Sequence, residues 1–406
     1  PAAALSSSST ASAATAPAPE NEDDAEIEPD DGLPNPSAPG SLILIPRGGR
    51  RMILCLPTGC YAWAPSVVRS SASAPLAREG HHAFFDAVSS SYFVFGGCAR
   101  NVSVCYDDLL RFDLITRAWR RLTVKHVDSD TQHVMAGQAS AWHAAQRRLY
   151  LFGGQRFAPK ALAKAHLQQF SNTLLYLEPS VRDPSVWILR KLATSGGDPA
   201  PAVVHASLTA VGAHLALFGG RTALGGCSRD VFTMRVDATN VTDASVAVNA
   251  WAKRAAQSSA HASHPLGREG HTATAVFDAD RGAWRLLVLG GRDVTQTFDD
   301  LWTLTLPVDL DAADVAASSS TDNNADNGGS QQDQSQQQQQ STDSLFWQLH
   351  SISASRDVSP SPARAFHAAA LTADSKLLVL GGCASGGRCT DTISLFDVVA
   401  RAWIAA

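Results

Sequence analysis

The feature that most constrains the fold is a four-residue apolar strand that ends in two consecutive glycines, which the chain contains five times. Each pair is followed by a loop, a second apolar strand and then a tryptophan. A unit repeated in this way predicts stacked supersecondary units rather than independent domains. The glycine pairs and tryptophans are Gly96, Gly97, Gly153, Gly154, Gly219, Gly220, Gly290, Gly291, Gly381, Gly382, Trp119, Trp187, Trp251, Trp347 and Trp403.

A histidine flanked by small residues precedes most of the glycine-pair strands, at His81, His205, His271 and His367. We interpret these as one repeated position, at which each imidazole hydrogen-bonds to the backbone of an inner strand. A metal site is the less favoured alternative, because zinc ligands usually come in closely spaced pairs. The glycines let the backbone turn where a side chain would collide with the next repeat, and each tryptophan wedges between neighbouring sheets.

Four short strands per unit in tandem are typical of an all-β propeller. The pattern resembles the Kelch repeat family, whose units carry Gly-Gly after the second strand and a spaced aromatic residue and tryptophan. The resemblance covers about residues 41–404, although most of the tryptophans lack the family's preceding tyrosine. Residues 41–70 contain two strand-like runs and Trp63, and they predict a divergent blade. We therefore expect six blades of four antiparallel strands, or five if one blade is missing.

Two biased segments flank or interrupt the propeller predicted for residues 41–406. Residues 1–40 combine Ala, Ser and Pro with an acidic run, and they bury too little apolar surface to offset the entropy of ordering. Residues 309–344 are rich in Gln, Asn and Ser and predict a low-complexity loop insertion. Both segments are expected to lack packed structure.

Charge and hydropathy narrow the class of protein. The formal net charge is −5, from 33 Lys and Arg against 38 Asp and Glu, whereas nucleic-acid-binding domains are usually basic. No apolar run is long enough for a transmembrane helix, and the first fifteen residues do not resemble a signal peptide. We expect a cytoplasmic or nuclear protein that binds neither nucleic acid nor membrane.

Seven cysteines are too few for a disulfide-built scaffold, so reduced thiols are the favoured interpretation. Cys98 and Cys105 flank one loop after a glycine pair, and Cys383 and Cys389 flank the equivalent loop of the last repeat. Loop-tethering disulfides, a redox-sensitive patch or a metal-binding patch remain alternatives. Cys55 and Cys60 form a third pair, and Cys227 has no close partner.

Strand alternation places the loop that enters each first strand and the loop between the second and third strands on one face. Kelch domains that recruit proteins use this face, so the resemblance implies a docking surface there. Guanidinium groups suit acidic peptides or carboxylate ligands through paired hydrogen bonds. The arginines expected on this face are Arg78, Arg100, Arg156, Arg221, Arg268, Arg292, Arg364 and Arg388.

A structural role competes with binding for these arginines. Arg78, Arg268 and Arg364 are motif-borne and are favoured to bond backbone or the adjacent Glu79 and Glu269. For the arginines that follow a glycine pair closely, Arg156, Arg221 and Arg292, the sequence favours partner binding and structural packing equally.

No nucleophile-elbow, Walker or HExxH pattern is present, and we predict neither catalysis nor a cofactor or metal. The sequence favours a protein-interaction scaffold or adaptor that binds a partner protein through the arginine-rich face. The alternative is an accessory Kelch domain of a larger enzyme, such as a ubiquitin-ligase adaptor, methyltransferase or phosphatase fusion, or a small-ligand site in the channel.

Overall fold

The structure is a computed structural model, and what it describes is almost entirely β-strand. For the first three of the described segments only the backbone is described. The described residues are 42–45, 51–56, 59–63, 74–99, 104–128, 135–156, 169–194, 196–237, 248–258, 264–308, 310, 345–350 and 362–404. No helix among them has the length and apolar character needed to cross a bilayer.

Five four-stranded antiparallel sheets follow one another along the chain, and we number them blades 1 to 5. Blade 1 comprises β4 (His82–Asp86), β5 (Ser91–Phe95), β6 (Leu109–Asp113) and β7 (Ala118–His126). Blade 2 comprises β9 (Ala139–His143), β10 (Arg148–Phe152), β13 (Leu174–Pro179) and β14 (Val186–Lys191). Blade 3 comprises β16 (Ser207–Val211), β17 (His214–Phe218), β19 (Val231–Arg235) and β20 (Trp251–Arg254). Blade 4 comprises β22 (Thr272–Asp278), β23 (Ala283–Leu289), β24 (Leu301–Pro307) and β25 (Phe346–His350), and blade 5 comprises β26 (Ala368–Leu371), β27 (Lys376–Leu380), β28 (Ile393–Asp397) and β29 (Ala402–Ile404).

An N-terminal sheet precedes blade 1 and contains three strands. These are β1 (Leu42–Ile45), β2 (Arg51–Leu56) and β3 (Gly59–Trp63), paired antiparallel in chain order. The five blades confirm the all-β propeller class, whereas six closed blades of four strands remain a prediction.

The two segments predicted to lack packed structure lie outside the described residues, with one exception. Leu310, inside the predicted insertion, is buried in the core of blade 4 with Leu306 and Leu345. The packed part of blade 4 therefore continues past the predicted boundary at residue 309.

The first strands of blades 2 to 5 lie side by side, as a propeller requires. β16 contacts both β9 and β22, and β22 contacts β26. The second strand of blade 3 is covered on both faces by neighbouring blades, and all five residues of β17 are buried. In β5 of blade 1 the buried residues alternate with more exposed ones, and Tyr92 is exposed.

The tryptophans wedge between blades as predicted where they are buried. Trp187 of blade 2 packs at a tilt against Phe93 of blade 1, with ring centroids 5.1 Å apart. Trp347 of blade 4 packs on Phe218 of blade 3 at the same 5.1 Å. In blade 3, Trp251 contacts the ring of Phe152 of blade 2. Each ring fills a gap between two sheets that neither sheet fills alone.

The outer strands continue from one blade to the next through parallel pairing. β7 of blade 1 pairs parallel with β14 of blade 2. The segment after β20 forms β21 (Gln257–Ser258), which pairs parallel with β25 of blade 4. Between blades 2 and 3, Gly197 bridges to Trp251 in the same sense. The outer edges of blades 1 to 4 are therefore joined by backbone hydrogen bonds.

The first glycines of the pairs in blades 2, 3 and 4 lie where two blades meet, which confirms the steric interpretation at those positions. Gly219 has φ +71°, and a Cβ there would lie 2.7 Å from the carbonyl oxygen of Arg268 in the next blade. The N–H of Gly220 donates to that same carbonyl at 2.8 Å. A Cβ on Gly220 would meet the Cβ of Ala206 at 2.8 Å. The first glycine admits the next blade, and the second admits the first strand of its own blade.

The four histidines do not share one position, which corrects the sequence interpretation. His271 and His367 directly precede the first strands of their blades, whereas His205 stands one residue earlier and has φ +55°. His205 therefore aligns with Gly270 and Phe366, which also have positive φ. Strand register shows this offset, and the spacing of histidines along the sequence does not.

The imidazoles of His271 and His367 hydrogen-bond to side chains of the preceding blade rather than to strand backbone. Nε2 of His271 lies 2.8 Å from the hydroxyl of Ser207, and Nε2 of His367 lies 2.9 Å from that of Thr272. Burial lowers the pKa of His271 to about 3 and that of His367 to about 4. These neutral imidazoles act as ties between blades 3 and 4 and between blades 4 and 5.

Candidate functional site

The loops predicted to share one face pair directly with one another. In blade 3, the segment entering the first strand pairs as β15 (Val203–Val204) with β18 (Arg221–Thr222), which follows the glycine pair. The same pairing occurs between Glu269 and Arg292 in blade 4 and between Ala365 and Cys383 in blade 5. We call the surface formed by these two segments of every blade the loop face.

The three motif-borne arginines are built into the blades. The side chain of Arg268 has no exposed surface, and its guanidinium donates twice to Asp300 and once to the carbonyl of Gly290. Arg78 has the same arrangement with Asp108, and its side chain is 4% exposed. Such fully bonded cations hold the loop against its strand. This agrees with the favoured structural role, although the carboxylates that they bind are Asp300 and Asp108 rather than the adjacent glutamates.

Arg364 of blade 5 is also buried, but none of the described carboxylates pairs with it. It donates to the carbonyls of Pro362 and Gly381 and to the hydroxyls of Thr392 and Ser394. Burial lowers its pKa, with no anion to offset the cost. It too is unavailable to a partner.

The aspartates that pair with these arginines were not identified from the sequence. Asp108 and Asp300 each stand one residue before the third strand of their blade. In blade 3 the arginine position is held by Val203, and the equivalent Asp230 pairs instead with Lys253 at 3.0 Å. The signal was available, because the aspartate recurs at a fixed place in the units.

The exposed cationic part of the loop face is a triad between blades 3 and 4. The carboxylate of Glu269 lies 3.1 Å from Nε of Arg221 and 3.1 Å from Nε and Nη2 of Arg292. The glutamate side chain is 6% exposed, whereas those of Arg221 and Arg292 are 31% and 49% exposed. Two guanidiniums share this carboxylate, and Asp293, the residue after Arg292, supplies a second carboxylate in the same loop.

The remaining predicted arginines do not join this triad in the described structure. Arg388 is exposed in the loop after the glycine pair of blade 5. Arg156 lies in the short strand β11 (Gln155–Arg156), for which no side-chain position is described, and Arg100 lies outside the described residues. The structure therefore brings together Arg221 and Arg292 out of the predicted set.

Exposed apolar side chains lie in the loops that carry these arginines and Glu269. Leu224 is 99% exposed, Val294 75% and Leu266 51%. The loops that carry them touch, since the sulfur of Cys227 lies 4.0 Å from the carbonyl oxygen of Arg292. We call residues 221–228, 264–269 and 292–297 the seam. Sequence inspection missed its apolar component because single Leu or Val residues in loops carry no pattern.

The positive-φ residues form a belt of backbone hydrogen bonds between the first strands. The N–H of His205 donates to the carbonyl of Gly137, that of Gly270 to His205, and that of Phe366 to Gly270, at 2.7 to 2.9 Å. The rings of His205 and Phe366 meet edge to face, with centroids 5.1 Å apart. The guanidinium of Arg292 lies over the ring of Phe366 at 4.9 Å. The belt thus fixes one side of the seam.

Two of the three cysteine pairs form disulfides, contrary to the favoured interpretation of reduced thiols. These bonds are Cys98–Cys105 and Cys383–Cys389, each tying the start of a loop on the loop face to its end. Disulfides form in oxidising environments, so the low cysteine count was a poor guide to their redox state. Cys55 and Cys60 are opposite each other in the register of β2 and β3, and their side chains lie outside the described set.

The unpaired Cys227 has a positional explanation. Its backbone forms a β-bridge with Arg221, as that of Cys105 does with Cys98, so Cys227 occupies the position equivalent to Cys105 in the loop of blade 3. Arginine replaces cysteine at the first position, and the thiol stays free. Burial raises the pKa of Cys227 to about 11, so little thiolate forms at neutral pH. Within the described residues, no group of three or more His, Cys, Asp or Glu side chains is placed to hold a metal ion.

Comparison with known proteins finds a relative with the same kind of repeat. The Rab9 effector protein with kelch motifs of Rattus norvegicus is 26% identical to this chain over 232 residues. The chain is a β-propeller with Kelch-like repeats. The alignment covers 56% of this chain and 52% of that relative, so it spans about half of the relative's length. No protein-family model matches the chain. The solved structure of YjhT aligns with 87% of this chain and 90% of its own chain, at 16% identity and a TM-score of 0.49.

Proposed function

We propose that this propeller is a protein-interaction module that docks a segment of a partner protein on the seam. The observation that supports this is the combination of exposed Leu224 and Val294 with the half-exposed guanidinium of Arg292. Apolar and arginine side chains together are characteristic of the centres of protein interfaces. The role we propose is that of an adaptor or scaffold, in which the chain itself performs no catalysis.

The energetics of the seam favour a partner that covers its apolar residues. Burying a Leu or Val side chain fully is worth about 1.5–3 kcal/mol, so three such side chains supply a useful part of a micromolar affinity. The loops that carry them are held by short strand pairs and by the buried Arg268. Because the loops are ordered before binding, less free energy is lost in fixing them.

The curated relative is named as an effector of Rab9, and we extend to this chain only the binding of a protein partner. The chemistry of the seam suits a protein segment with apolar side chains, rather than a nucleic acid or a membrane surface.

The experiment is affinity capture with mass spectrometry on two folded double variants. Leu224→Asp with Val294→Asp places carboxylates on the seam at positions that no packing requires. The control, Val181→Asp with Val399→Asp, makes the same change at turns between third and fourth strands, on the opposite face; both residues are highly exposed. We expect partners captured by the wild type to be retained by the control and lost by the seam variant. Equal capture by both variants would exclude the seam as the docking surface.

Alanine variants of the arginines are a poorer test. Removing Arg221 and Arg292 leaves Glu269 as a buried carboxylate without a cation, which typically costs 3–5 kcal/mol. Loss of capture would then be confounded with loss of the fold.

A further inference from the structure

We propose that Phe366 anchors the partner segment at the side of the seam fixed by the belt, where its ring packs against an apolar side chain from an uncharged stretch of that partner. This rests on the proposed function, because it assumes that the seam docks a protein segment. It adds the residue that anchors the partner and the chemistry that the partner supplies. Three observations support it: the backbone conformation of Phe366, the surroundings of its ring and the charge balance of the seam.

Phe366 holds a backbone conformation that its residue type disfavours. It has φ +59°, where the Cβ of a non-glycine residue comes too close to the following carbonyl oxygen. Among the described residues it is the one large apolar side chain with a positive φ, since His205 is the other non-glycine member of the belt and the rest lie in turns between strands. Those in turns are Ser90, Arg117, Arg147, Asn249, Ser375 and Arg401.

The equivalent position in three other blades is glycine. It stands two residues before the first strand of each blade, and it is Gly80 in blade 1, Gly137 in blade 2 and Gly270 in blade 4. These glycines have φ between +64° and +69°, so the belt requires this backbone conformation but no side chain. A strained side chain where glycine would suffice indicates a role for the side chain itself.

The ring of Phe366 lies on the surface in a fixed orientation. A Cβ on Gly270 would lie 2.9 Å from its Cε1, so the ring covers the backbone of the preceding blade. The edge-to-face contact with His205 and the guanidinium of Arg292 hold it there. Phe366 is still 44% exposed. A ring that is ordered before binding and open to solvent loses little freedom when a partner covers it, as an interface anchor should.

The charges of the seam balance, so apolar contact decides what it binds. Its charged residues are the cations Arg221, Arg268 and Arg292 and the carboxylates Glu269 and Asp293, and Arg268 is paired with Asp300. Three cations therefore meet three carboxylates. An uncharged apolar side chain gains most from this surface, because its burial against Phe366 removes apolar area of both partners from water.

The test first selects a probe on the full chain. A phage-displayed library of random short peptides is panned on the wild type, and the enriched peptide is synthesised with a fluorescein label for fluorescence anisotropy. We expect it to contain an aromatic or aliphatic residue flanked by uncharged residues. Its affinity should fall at least roughly ten-fold for Phe366→Gly, which carries the residue that three other blades use. Raising NaCl should change the affinity by less than about two-fold.

Two glycine variants of the belt separate the ring from the backbone. Gly270→Ala places a methyl group where the ring of Phe366 lies, whereas a Cβ on Gly80 meets no described atom within 4 Å. Their φ angles are +64° and +65°, so both variants carry the same backbone strain. We expect the probe to bind Gly80→Ala as it binds the wild type, and to bind Gly270→Ala at least roughly ten-fold more weakly. Urea unfolding checks that all three variants are folded.

Several results would overturn this assignment. One is equal affinity of the probe for the wild type and Phe366→Gly, and another is equal loss in Gly80→Ala and Gly270→Ala. A selection that yields no peptide, or only charged peptides that dissociate at high salt, would also overturn it. A partner that is captured by Phe366→Gly but lost by Leu224→Asp with Val294→Asp would overturn the anchor alone and leave the proposed function standing.

Discussion

Gly219→Ala adds one methyl group at the point where blades 3 and 4 meet. The new Cβ would lie 2.7 Å from the carbonyl oxygen of Arg268 and 2.7 Å from Cε1 of His271. Both neighbours are fixed, because that carbonyl accepts from Gly220 and the imidazole is hydrogen-bonded to Ser207. Neither can move without breaking a contact between the blades.

Two costs add at this position. A non-glycine residue at φ +71° costs about 1–2 kcal/mol in backbone strain. Overpacking by a methyl group in a rigid site costs a further ~1–3 kcal/mol. We therefore expect Gly219→Ala to lower the free energy of unfolding by about 2–5 kcal/mol.

The assay is urea unfolding followed by intrinsic tryptophan fluorescence, with Gly225→Ala as the matched control. Gly225 has φ +89°, and a Cβ there would meet nothing within 4 Å. The control therefore carries the strain without the collision and should lose only ~1–2 kcal/mol. If both variants shift the urea midpoint equally at unchanged slope, the steric account of the glycine pair is refuted.

Three further predictions concern the ties between blades and loops. Acidification from pH 7.5 to pH 5 should destabilise the fold by about 2 kcal/mol for each of His271 and His367. The imidazoles of the unfolded chain bind protons below pH 6.5, whereas those of the folded chain, with a pKa of about 3 and about 4, do not. Arg221→Cys should form a new disulfide with Cys227, seen as loss of the free thiol under non-reducing conditions. Asp300→Ala should lower the free energy of unfolding by roughly 3–5 kcal/mol, measured by urea unfolding, because it leaves a buried guanidinium unpaired.

Each of these predictions has a control. The exposed Asp299→Ala should change stability by no more than about 0.5 kcal/mol, and a similar loss at both aspartates would contradict the buried-pair argument. A persistent free thiol in Arg221→Cys would show that this loop position is not equivalent to the paired ones. A urea midpoint that does not fall between pH 7.5 and pH 5 would mean that the imidazoles are solvated.

The repeat made the fold predictable, because the glycine pairs and tryptophans mark where blades touch. Gly219 and Trp347 perform the roles that their residue types suggested. The position of His205 was not predictable in the same way, because a shift of one residue relative to His271 depends on strand register. Patterns of residue type identify elements more readily than they fix alignment between them.

The candidate site was predicted only in part. Strand alternation placed the arginines on one face, yet it could not separate buried Arg268 from exposed Arg292. What separates them is the partner that each meets, Asp300 or Glu269. The apolar tips of the seam and the pairing of Cys98 with Cys105 depend on contacts between loops, which a single sequence does not encode as a pattern.

The parallel pairing of outer strands has a consequence for how this protein would aggregate. An outermost strand normally presents unpaired N–H and C=O groups, which can template pairing with another molecule. Here β7, β20 and β25 use part of those groups to bond the adjacent blade. Separating two adjacent blades would therefore expose two unpaired strand edges at once. Aggregation should then begin from molecules in which blades have separated rather than from the intact fold.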